Sequence, residues 1–214
     1  MKLLSIFDFD GTLFRNPPDT PENRRKYEKE KGIPWIIDKS TARRLSVQLG
    51  RQVRMRRGWY GRPETLEPPL VPDPIPEEMW IEPTVKAFLA SKTNENAMTL
   101  MVTGRHKGIQ NQVLRILSDG NLVRTEWSSG NFTPADPNVQ CFFLGDNGPF
   151  PQKAGPKPHE TFPWKTWLFE QFLDAHDFEE VEIWEDRQKH VEGFREWGDN
   201  IPHDVTVHHV IEST

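Results

Sequence analysis

The sequence predicts an α/β fold built on a parallel β-sheet. Short apolar segments rich in β-branched residues alternate along the chain with segments of helical periodicity. This alternation is typical of strand–helix–strand units whose connections cross over the faces of a parallel sheet. With 214 residues, the chain is long enough for one large domain or for a core domain that carries a small insertion.

Five segments are predicted to be strands. Four are short and apolar, as expected for strands covered on both faces, and the last alternates apolar and polar residues like an edge strand. In chain order the predicted strands are Leu3–Phe7, Met98–Val102, Val139–Leu144, Val181–Trp184 and Val205–Ile211. The helical segments between them are Thr84–Ser91, Lys107–Leu117, Pro163–Ala175 and Lys189–Glu196.

Residues 16–79 interrupt this alternation and are predicted to form an inserted cap. A charged helical stretch spans Glu22–Lys31, a second helix begins near Ser40, and a segment with six prolines follows. The prolines are expected to make an extended, semi-rigid connection back to the core. The predicted domains are therefore a core of residues 1–15 and 80–214 and a cap of residues 16–79.

The formal net charge of −5 conceals a basic segment. Residues 39–63 contain eight basic residues and no acidic one. Helical periodicity places arginines opposite a narrow apolar face, and the candidates for substrate binding among them are Arg43, Arg51 and Arg54. Guanidinium groups follow phosphates, so the segment indicates an anionic partner, either a single-stranded nucleic acid or a small substrate. A solvated charged surface is the remaining alternative. Two aromatic residues beyond the helix are candidates for stacking on bases: Trp59 and Tyr60.

Cysteine content and hydropathy bear on the compartment. Cys141 is the single cysteine, so no internal disulfide can form, which favours a reducing, intracellular and cytoplasmic compartment. It lies in VQCFFL and is expected to be a buried strand residue rather than a nucleophile. No apolar run approaches the roughly 20 residues that cross a bilayer, so no membrane partner is expected.

Residues that could carry chemistry follow the predicted strands, at the end where open parallel sheets bind ligands. Asp8, Asp10 and Thr12 follow the first strand, and Gly11 allows the backbone to turn sharply there. Two carboxylates so close repel each other unless a cation or a shared proton lies between them. The residues after the later strands, with one helical lysine, are Thr103, Gly104, Arg105, Lys165, Glu185, Asp186, Arg187 and His190.

This set contains the groups that phosphoryl transfer needs. A carboxylate such as Asp8 can act as a nucleophile, and Asp10 can move protons to and from the reacting oxygens. A Mg²⁺ ion, which favours carboxylate ligands, would allow Asp8 to tolerate Asp186 nearby. The Thr103 hydroxyl and the Lys165 ammonium can hold phosphate oxygens, where the charge of the transition state is spread.

In this order, DFDGTLF, TGR, a helical lysine and an acidic pair that closes a strand resemble the four motifs of the haloacid dehalogenase (HAD) superfamily. The resemblance covers Lys2–Phe14 and the chain from Trp80 onward. Members of this superfamily are mostly Mg²⁺-dependent phosphatases with a Rossmann-like, three-layer core. The resemblance therefore implies such a core, with sheet order 3-2-1-4-5 in the numbering of the predicted strands and a cap between the first two.

Four longer stretches are similar to the HAD domain of Swiss Army Knife RNA repair proteins: GWYGRPETLEPP, MVTGR, FPWKTWLFEQFL and IWEDRQKHVEGF. This resemblance implies that Asp8 is the nucleophile and Asp10 the acid/base, with Thr103 and Lys165 on the phosphate. The implied Mg²⁺ ligands are Asp8, Asp10, Asp186 and Glu185. The implied activity is a phosphatase that acts on polynucleotide ends, RNA ends foremost.

A second acidic motif, GDN, also follows a strand and contains Asp146. If Asp146 were the metal ligand, the motif lysine would have to precede it, and only Lys107 is available. With Asp186 as the ligand, Lys165 precedes it in the expected order, so Asp186 is preferred. The loop Gly145–Thr161, which begins with GDN, leaves the same end of the sheet and is long enough to form a lid, with disorder as the alternative.

Several candidates also have ordinary structural explanations. Arg105, Arg187 and His190 could bind substrate or form salt bridges at helix ends, and both interpretations remain open. His208 and His209 in the last strand show no metal-ligand spacing and are expected to be structural. For the whole chain, the alternative functions are a small-molecule or nucleotide phosphatase and a HAD-fold nucleic-acid-binding module without catalysis.

Overall fold

The computed structural model describes residues 2–32, 35, 39–50, 58–146, 148–150, 156 and 160–211. These residues form an α/β structure, so the predicted fold class is confirmed. The chain divides into two compact units. The first contains Met1–Arg15 with Glu77–Thr214, and the second contains Asn16–Pro76.

The first unit is built on a five-stranded parallel sheet. The strands of the chain are β1 Leu3–Phe7, β2 Ala97–His106, β3 Thr125–Ser128, β4 Asn131–Pro134, β5 Val139–Leu144, β6 Glu180–Glu185 and β7 Asp204–His209. The sheet order is β5-β2-β1-β6-β7, which is the predicted order of the five segments. The numbers differ from 3-2-1-4-5 because β3 and β4 intervene as an antiparallel hairpin that the sequence analysis did not predict.

Helices cover both faces of this sheet. The helices of the described residues are α1 Pro21–Lys31, α2 Lys39–Gln48, α3 Glu82–Thr93, α4 Gln110–Asp119, α5 Thr161–Ala175 and α6 Gln188–Gly198. On one face, Ile6 of β1 lies in a buried cluster with Trp164 of α5 and Phe194 of α6. On the other face, Phe7 packs on Phe88 of α3 with ring centroids 5.1 Å apart, since successive side chains of a strand point to opposite faces. The sheet is therefore the middle of three layers.

The central strand β1 ends at the position where open parallel sheets bind ligands. It is paired with β2 on one side and β6 on the other, and every residue from Leu4 to Phe7 is buried. A strand covered on both faces needs a continuous apolar run, which explains why LLSIF does not alternate. The residues after Phe7 consequently emerge between the carboxyl ends of β2 and β6.

The strand β2 is longer than predicted. It includes Thr103, Gly104 and Arg105, which the sequence analysis placed after the strand. The apolar run stops at Val102, so the sequence pattern ended there, but the backbone pairing with β5 continues with a register shift between Thr103 and His106. The candidate residues of TGR therefore lie on the irregular end of a strand rather than in a loop.

The second unit has a small aromatic core of its own. Its buried apolar residues form one cluster: Tyr27, Trp35, Trp59 and Leu70. The buried Arg62 guanidinium stacks over the Trp35 ring at 3.5 Å and donates a hydrogen bond to the Trp35 carbonyl. Trp59 is buried and its Nε1 donates to the carbonyl of Pro17, so the expectation that it could stack on bases is wrong.

The proline-rich segment folds into turns. A 3₁₀ turn spans Pro63–Leu66, and Leu66 and Val71 are fully buried. The Thr65 hydroxyl closes the first turn by donating to the Arg62 carbonyl at 2.7 Å. The expectation of an extended connection is therefore wrong, because the side chains between the prolines are buried and the backbone bends to bury them.

The predictions about Cys141, about membrane-spanning helices, and about the remaining arginines and the lid have separate outcomes. Cys141 lies half-buried in β5, and burial raises the pKa of its thiol, which does not suit a nucleophile. None of the described helices combines the length and apolar character needed to span a membrane. Arg51, Arg54 and most of the loop predicted as a lid (residues 147, 151–155 and 157–159) lie outside the described residues.

Candidate active site

The turn after β1 brings the first aspartate motif against Asp186. The backbone N–H of Asp8 donates to the Trp184 carbonyl at 3.0 Å, which continues the pairing of β1 with β6 by one residue. Gly11 then adopts a left-handed conformation with φ of 69°. A Cβ atom at Gly11 would collide with the Asp186 carboxylate, so only glycine permits this close approach.

Three carboxylates gather at this point: Asp8, Glu185 and Asp186. One ligand oxygen from each lies within 4.8 Å of the others. The Lys165 ammonium, buried on α5, lies 3.1 Å from Asp8 Oδ1 and 2.8 Å from Glu185 Oε2. Lys165 therefore contacts two of the three acids, and the three carboxylates carry an excess of negative charge over this lysine when all are ionised.

The electrostatics of the three acids differ. Burial, assisted by the Glu185 and Asp10 carboxylates, raises the pKa of Asp8 to about 7 although Lys165 opposes this shift. Burial and the Asp8 carboxylate raise the pKa of Asp186 to about 8. Burial disfavours the charged form of Glu185 as well, but the Lys165 ammonium and His190 hold the pKa of this carboxyl well below its usual range. Glu185 is therefore the acid that stays ionised and forms the ion pair with Lys165.

The hydrogen bonds of Glu185 occupy both of its oxygens. Its Oε2 accepts from Lys165 and lies 3.3 Å from His190 Nδ1, and its Oε1 accepts from the backbone N–H of Arg187 at 3.2 Å. By contrast, Asp186 Oδ1 is buried without a hydrogen-bond partner among the described residues. Clustered carboxylates with such an orphaned oxygen fit a hard divalent cation, which neutralises and ligates them together.

Asp10 has a separate environment. Arg105 donates from Nε to both Asp10 oxygens at 2.8 and 3.0 Å, and its Nη2 lies 2.6 Å from Oδ1. The Thr103 hydroxyl donates to Asp10 Oδ2 at 3.4 Å and accepts from the Arg105 backbone N–H at 3.1 Å. Asp10 thus lies outside the cluster of Asp8, Glu185 and Asp186, and its assignment as a metal ligand stays a prediction.

The contacts of Lys165 and Asp146 show which of the two acidic residues, Asp186 or Asp146, lies with Asp8. Gly104 packs against Thr161 at the start of α5, and α5 carries Lys165 into the acidic group. The Asp146 carboxylate instead accepts from the Phe143 backbone N–H at 3.1 Å and pairs with Lys107 at 3.0 Å. Asp146 therefore has a local structural role, and the structure brings Asp186 rather than Asp146 to Asp8.

The remaining predicted residues differ in their burial and in their contacts with the cluster of Asp8, Glu185 and Asp186. His190 contacts Glu185, and the Arg187 side chain is exposed beside the acidic group. Thr12 is buried, and its hydroxyl has no hydrogen-bond partner among the residues that the structure describes. Arg43 is exposed on α2 in the second unit.

His209, which was expected to be structural, contacts a candidate metal ligand. Its Nε2 donates to the Asp186 backbone carbonyl at 3.1 Å. Together with Gly11 and Asp186 it lines a cavity of about 300 Å³. Its position at the carboxyl end of a parallel strand was the available signal, because that end of every strand faces the ligand site.

Comparison with known proteins identifies the family. The family described as HAD domain family 1 in Swiss Army Knife RNA repair proteins matches residues 41–213. The chain belongs to this family. The resemblance found in the sequence motifs is thereby confirmed, although the match begins after β1 and does not include the Asp8 motif.

Solved structures and curated proteins add little to this HAD-domain assignment. Two structures of the Pnkp1/Rnl/Hen1 RNA repair complex are similar at 11% identity, with TM-scores of 0.44 and 0.43, over 98% and 100% of this chain. This chain spans only 44% and 48% of the length of those chains. No curated protein matches it.

Proposed function

We propose that this HAD domain is a phosphomonoester hydrolase that acts on polynucleotide ends, RNA ends foremost, through an aspartyl-phosphate. The observation that carries the proposal is the separation of two carboxylates that are two residues apart. Asp8 lies with Lys165 and Asp186, whereas Asp10 is held by Arg105. A nucleophile and an acid/base need such different surroundings.

In the first step, an Asp8 oxygen forms a bond to phosphorus while the bond from phosphorus to the leaving oxygen breaks. Asp10 gives a proton to that leaving oxygen, so the alcohol departs uncharged. In the second step, Asp10 takes a proton from water, the water oxygen attacks phosphorus, and the Asp8 carboxylate is released with inorganic phosphate. Dividing one hydrolysis in this way replaces a difficult displacement by two easier ones.

Three other residues prepare these steps. The Lys165 ammonium, 3.1 Å from Asp8 Oδ1, and the Thr103 hydroxyl, 3.4 Å from Asp10 Oδ2, would bind the non-bridging phosphate oxygens. Since Arg105 binds both Asp10 oxygens, proton donation requires that one of these oxygens turn from Arg105 toward the leaving group. Arg105 is therefore a positioning residue for Asp10.

Asp8 and Asp186 are the residues that would hold Mg²⁺, with Glu185 beside them. When bound, the ion supplies charge neutralisation between the phosphate and the carboxylates. The residues of the chain accommodate it without rearrangement of Glu185, because Lys165, His190 and the Arg187 N–H already satisfy that side chain.

Two observations support a polynucleotide substrate. The matched family is described as a domain of RNA repair proteins. The second unit displays Arg43 and Arg44 on the exposed surface of α2, and arginines on such a surface attract a phosphate backbone.

Hydrolysis of matched oligonucleotides tests the proposal. RNA and DNA strands with 3′- or 5′-phosphates should be hydrolysed faster than free nucleotides in the presence of Mg²⁺. Asp8→Asn should abolish this activity, whereas Asp146→Asn, which alters an acid outside the site, should retain it. Equal or faster turnover of free nucleotides would show a small-molecule phosphatase, and binding of RNA without turnover of any ester would show a binding module.

A further inference from the structure

The β3–β4 hairpin presents an aromatic pair to solvent. Trp127 and Phe132 lie directly opposite each other in the register, with ring centroids 4.8 Å apart and an interplanar angle of 70°. The Trp127 side chain is 61% exposed. The two-residue turn between the strands has Ser129 at φ 51° and Gly130 at φ 82°, which is the tight connection that fits the twist of a hairpin. The pair is therefore held on a short and well-defined element.

Side chains at the start of α4 fix this hairpin to that helix. Gln110 Nε2 donates to the Phe132 carbonyl at 2.9 Å. Asn111 accepts from the Phe132 N–H at 3.0 Å and donates to the Gly130 carbonyl at 3.2 Å. These two residues begin the helix that follows Thr103 by only a few residues, and a segment of that length spans at most about 25 Å. The start of α4, which holds the hairpin, therefore lies within reach of one short single strand that begins at Thr103.

The size of the exposed patch favours a base over a protein partner. A tryptophan side chain buries about 150–250 Å² in all, so the exposed part of Trp127 is far smaller than the roughly 800 Å² that each partner contributes to a stable protein interface. Its neighbours on the hairpin are polar or small, with Ser128 and Ser129 both exposed. A single aromatic face matches the face of one nucleobase.

The segment between Thr103 and α4 carries exposed side chains of the kind that bind a phosphate backbone. Lys107, whose side chain is 71% exposed, and the exposed His106 lie on the segment that joins Thr103 to α4. The Lys107 ammonium lies 3.0 Å from the Asp146 carboxylate. Cationic side chains and stacking rings are the usual components of a surface that binds single strands.

We propose that Trp127, supported by Phe132, is a stacking platform for a base of a single-stranded nucleic acid whose phosphorylated end lies at Asp8. This inference rests on the proposed polynucleotide-end activity and adds the residue that recognises the strand behind its end. Because every base has an aromatic face, the platform would bind strands with little sequence preference. It would not contribute to the binding of a free nucleotide.

Binding of RNA by the whole protein tests the platform independently of turnover. The probe is a fluorescent single-stranded RNA of about eight nucleotides with a terminal phosphate, a length within the range that one single-strand module covers. Trp127→Ala should weaken its binding roughly 5- to 150-fold, which is the loss of one base–aromatic stack. Trp127→Phe should retain most of the affinity, and Leu89→Ala, which removes an exposed apolar side chain from α3, should retain all of it.

A length series tests the same platform in the reaction. Trp127→Ala should lower kcat/KM for the long oligonucleotide by a similar factor and leave kcat/KM for a mononucleotide unchanged. Unchanged RNA affinity and turnover in Trp127→Ala would overturn the platform while the phosphatase proposal stands. Weaker RNA binding by Trp127→Ala in a protein that hydrolyses no oligonucleotide would sustain the platform and overturn the phosphatase. Loss of binding to a protein partner with unchanged RNA affinity would show a protein-docking hairpin instead.

Discussion

Asp8 and Asp10 illustrate how one short motif serves two kinds of chemistry. Period-2 reasoning places their side chains together on one face, but β1 ends at Phe7, and Asp8 contacts Lys165 whereas Asp10 contacts Arg105. Asp8 then repels Glu185 more strongly than Asp10, and Asp10 is neutralised by Arg105. The electrostatic repulsion that the sequence predicted for this pair is therefore found among Asp8, Glu185 and Asp186 instead.

Arg105 should stabilise the fold through Asp10. Arg105→Ala leaves a buried carboxylate without its cation, so the free energy of unfolding should fall by about 3–5 kcal/mol in chemical denaturation. The double variant Asp10→Asn with Arg105→Met removes both charges and should regain much of this loss. If Arg105→Ala unfolded at the same denaturant concentration as the wild type, the ion pair would contribute nothing.

His209 should act on the metal through Asp186. His209→Ala removes the donor to the Asp186 carbonyl, so the Mg²⁺ concentration needed for half-maximal activity should rise roughly 10- to 100-fold, as for other residues that orient metal ligands. His209→Gln keeps a donor and should restore part of this affinity. The matched control is His208→Ala, because His208 stacks on Trp184 at 3.9 Å instead. Equal Mg²⁺ requirements in all variants would contradict the assignment.

At the scale of elements, the buried strands were predictable and the polar ones were not. β1 and the first part of β2 carry apolar runs that only a covered sheet explains. The end of β2 and the hairpin β3–β4 were missed because TGRH and TEWS lack an apolar run, although Ser129-Gly130 was a turn signal.

The candidate site was also predictable from the sequence only in part. The residue types at the carboxyl ends of the strands indicated the site from the sequence. The pairing of Arg105 with Asp10 and the contact of His209 with Asp186 join residues more than 20 positions apart. Such partners depend on the packing of different strands, which local patterns do not encode.

The turn after β1 should tolerate no side chain at Gly11. Gly11→Ala places a β-carbon against Asp186 at a left-handed position, so both stability and the response to Mg²⁺ should fall. Gly32→Ala is the control, because Gly32 has φ of 63° and nothing within 4 Å of its Cβ position. It should lose only the roughly 1–2 kcal/mol of left-handed strain, with an unchanged Mg²⁺ response. If both variants responded identically to Mg²⁺, the conformation of the turn at Gly11 would have no effect on metal binding.

At the scale of the whole molecule, the acidic group should couple folding to cation binding. A cation that binds the folded state raises stability by about 2.7 kcal/mol at 100 times its Kd, so Mg²⁺ should raise the Tm of the wild type. Asp186→Asn should raise the Tm of the metal-free protein, because it removes a carboxylate that repels Asp8, and should abolish the Mg²⁺ effect. Asp146→Asn should retain the full Mg²⁺ effect. A Tm shift in Asp186→Asn as large as in the wild type would place the cation elsewhere.

The covalent intermediate on Asp8 is the central claim, and rapid acid quench with peptide mass spectrometry tests it most directly. During turnover of a terminally phosphorylated RNA, the phosphoryl group should appear on the peptide that contains Asp8. It should appear there in Asp146→Asn and be absent in Asp8→Asn, which should also form no product. Product formation at the wild-type rate by Asp8→Asn, or phosphorylation of a different side chain, would contradict the account.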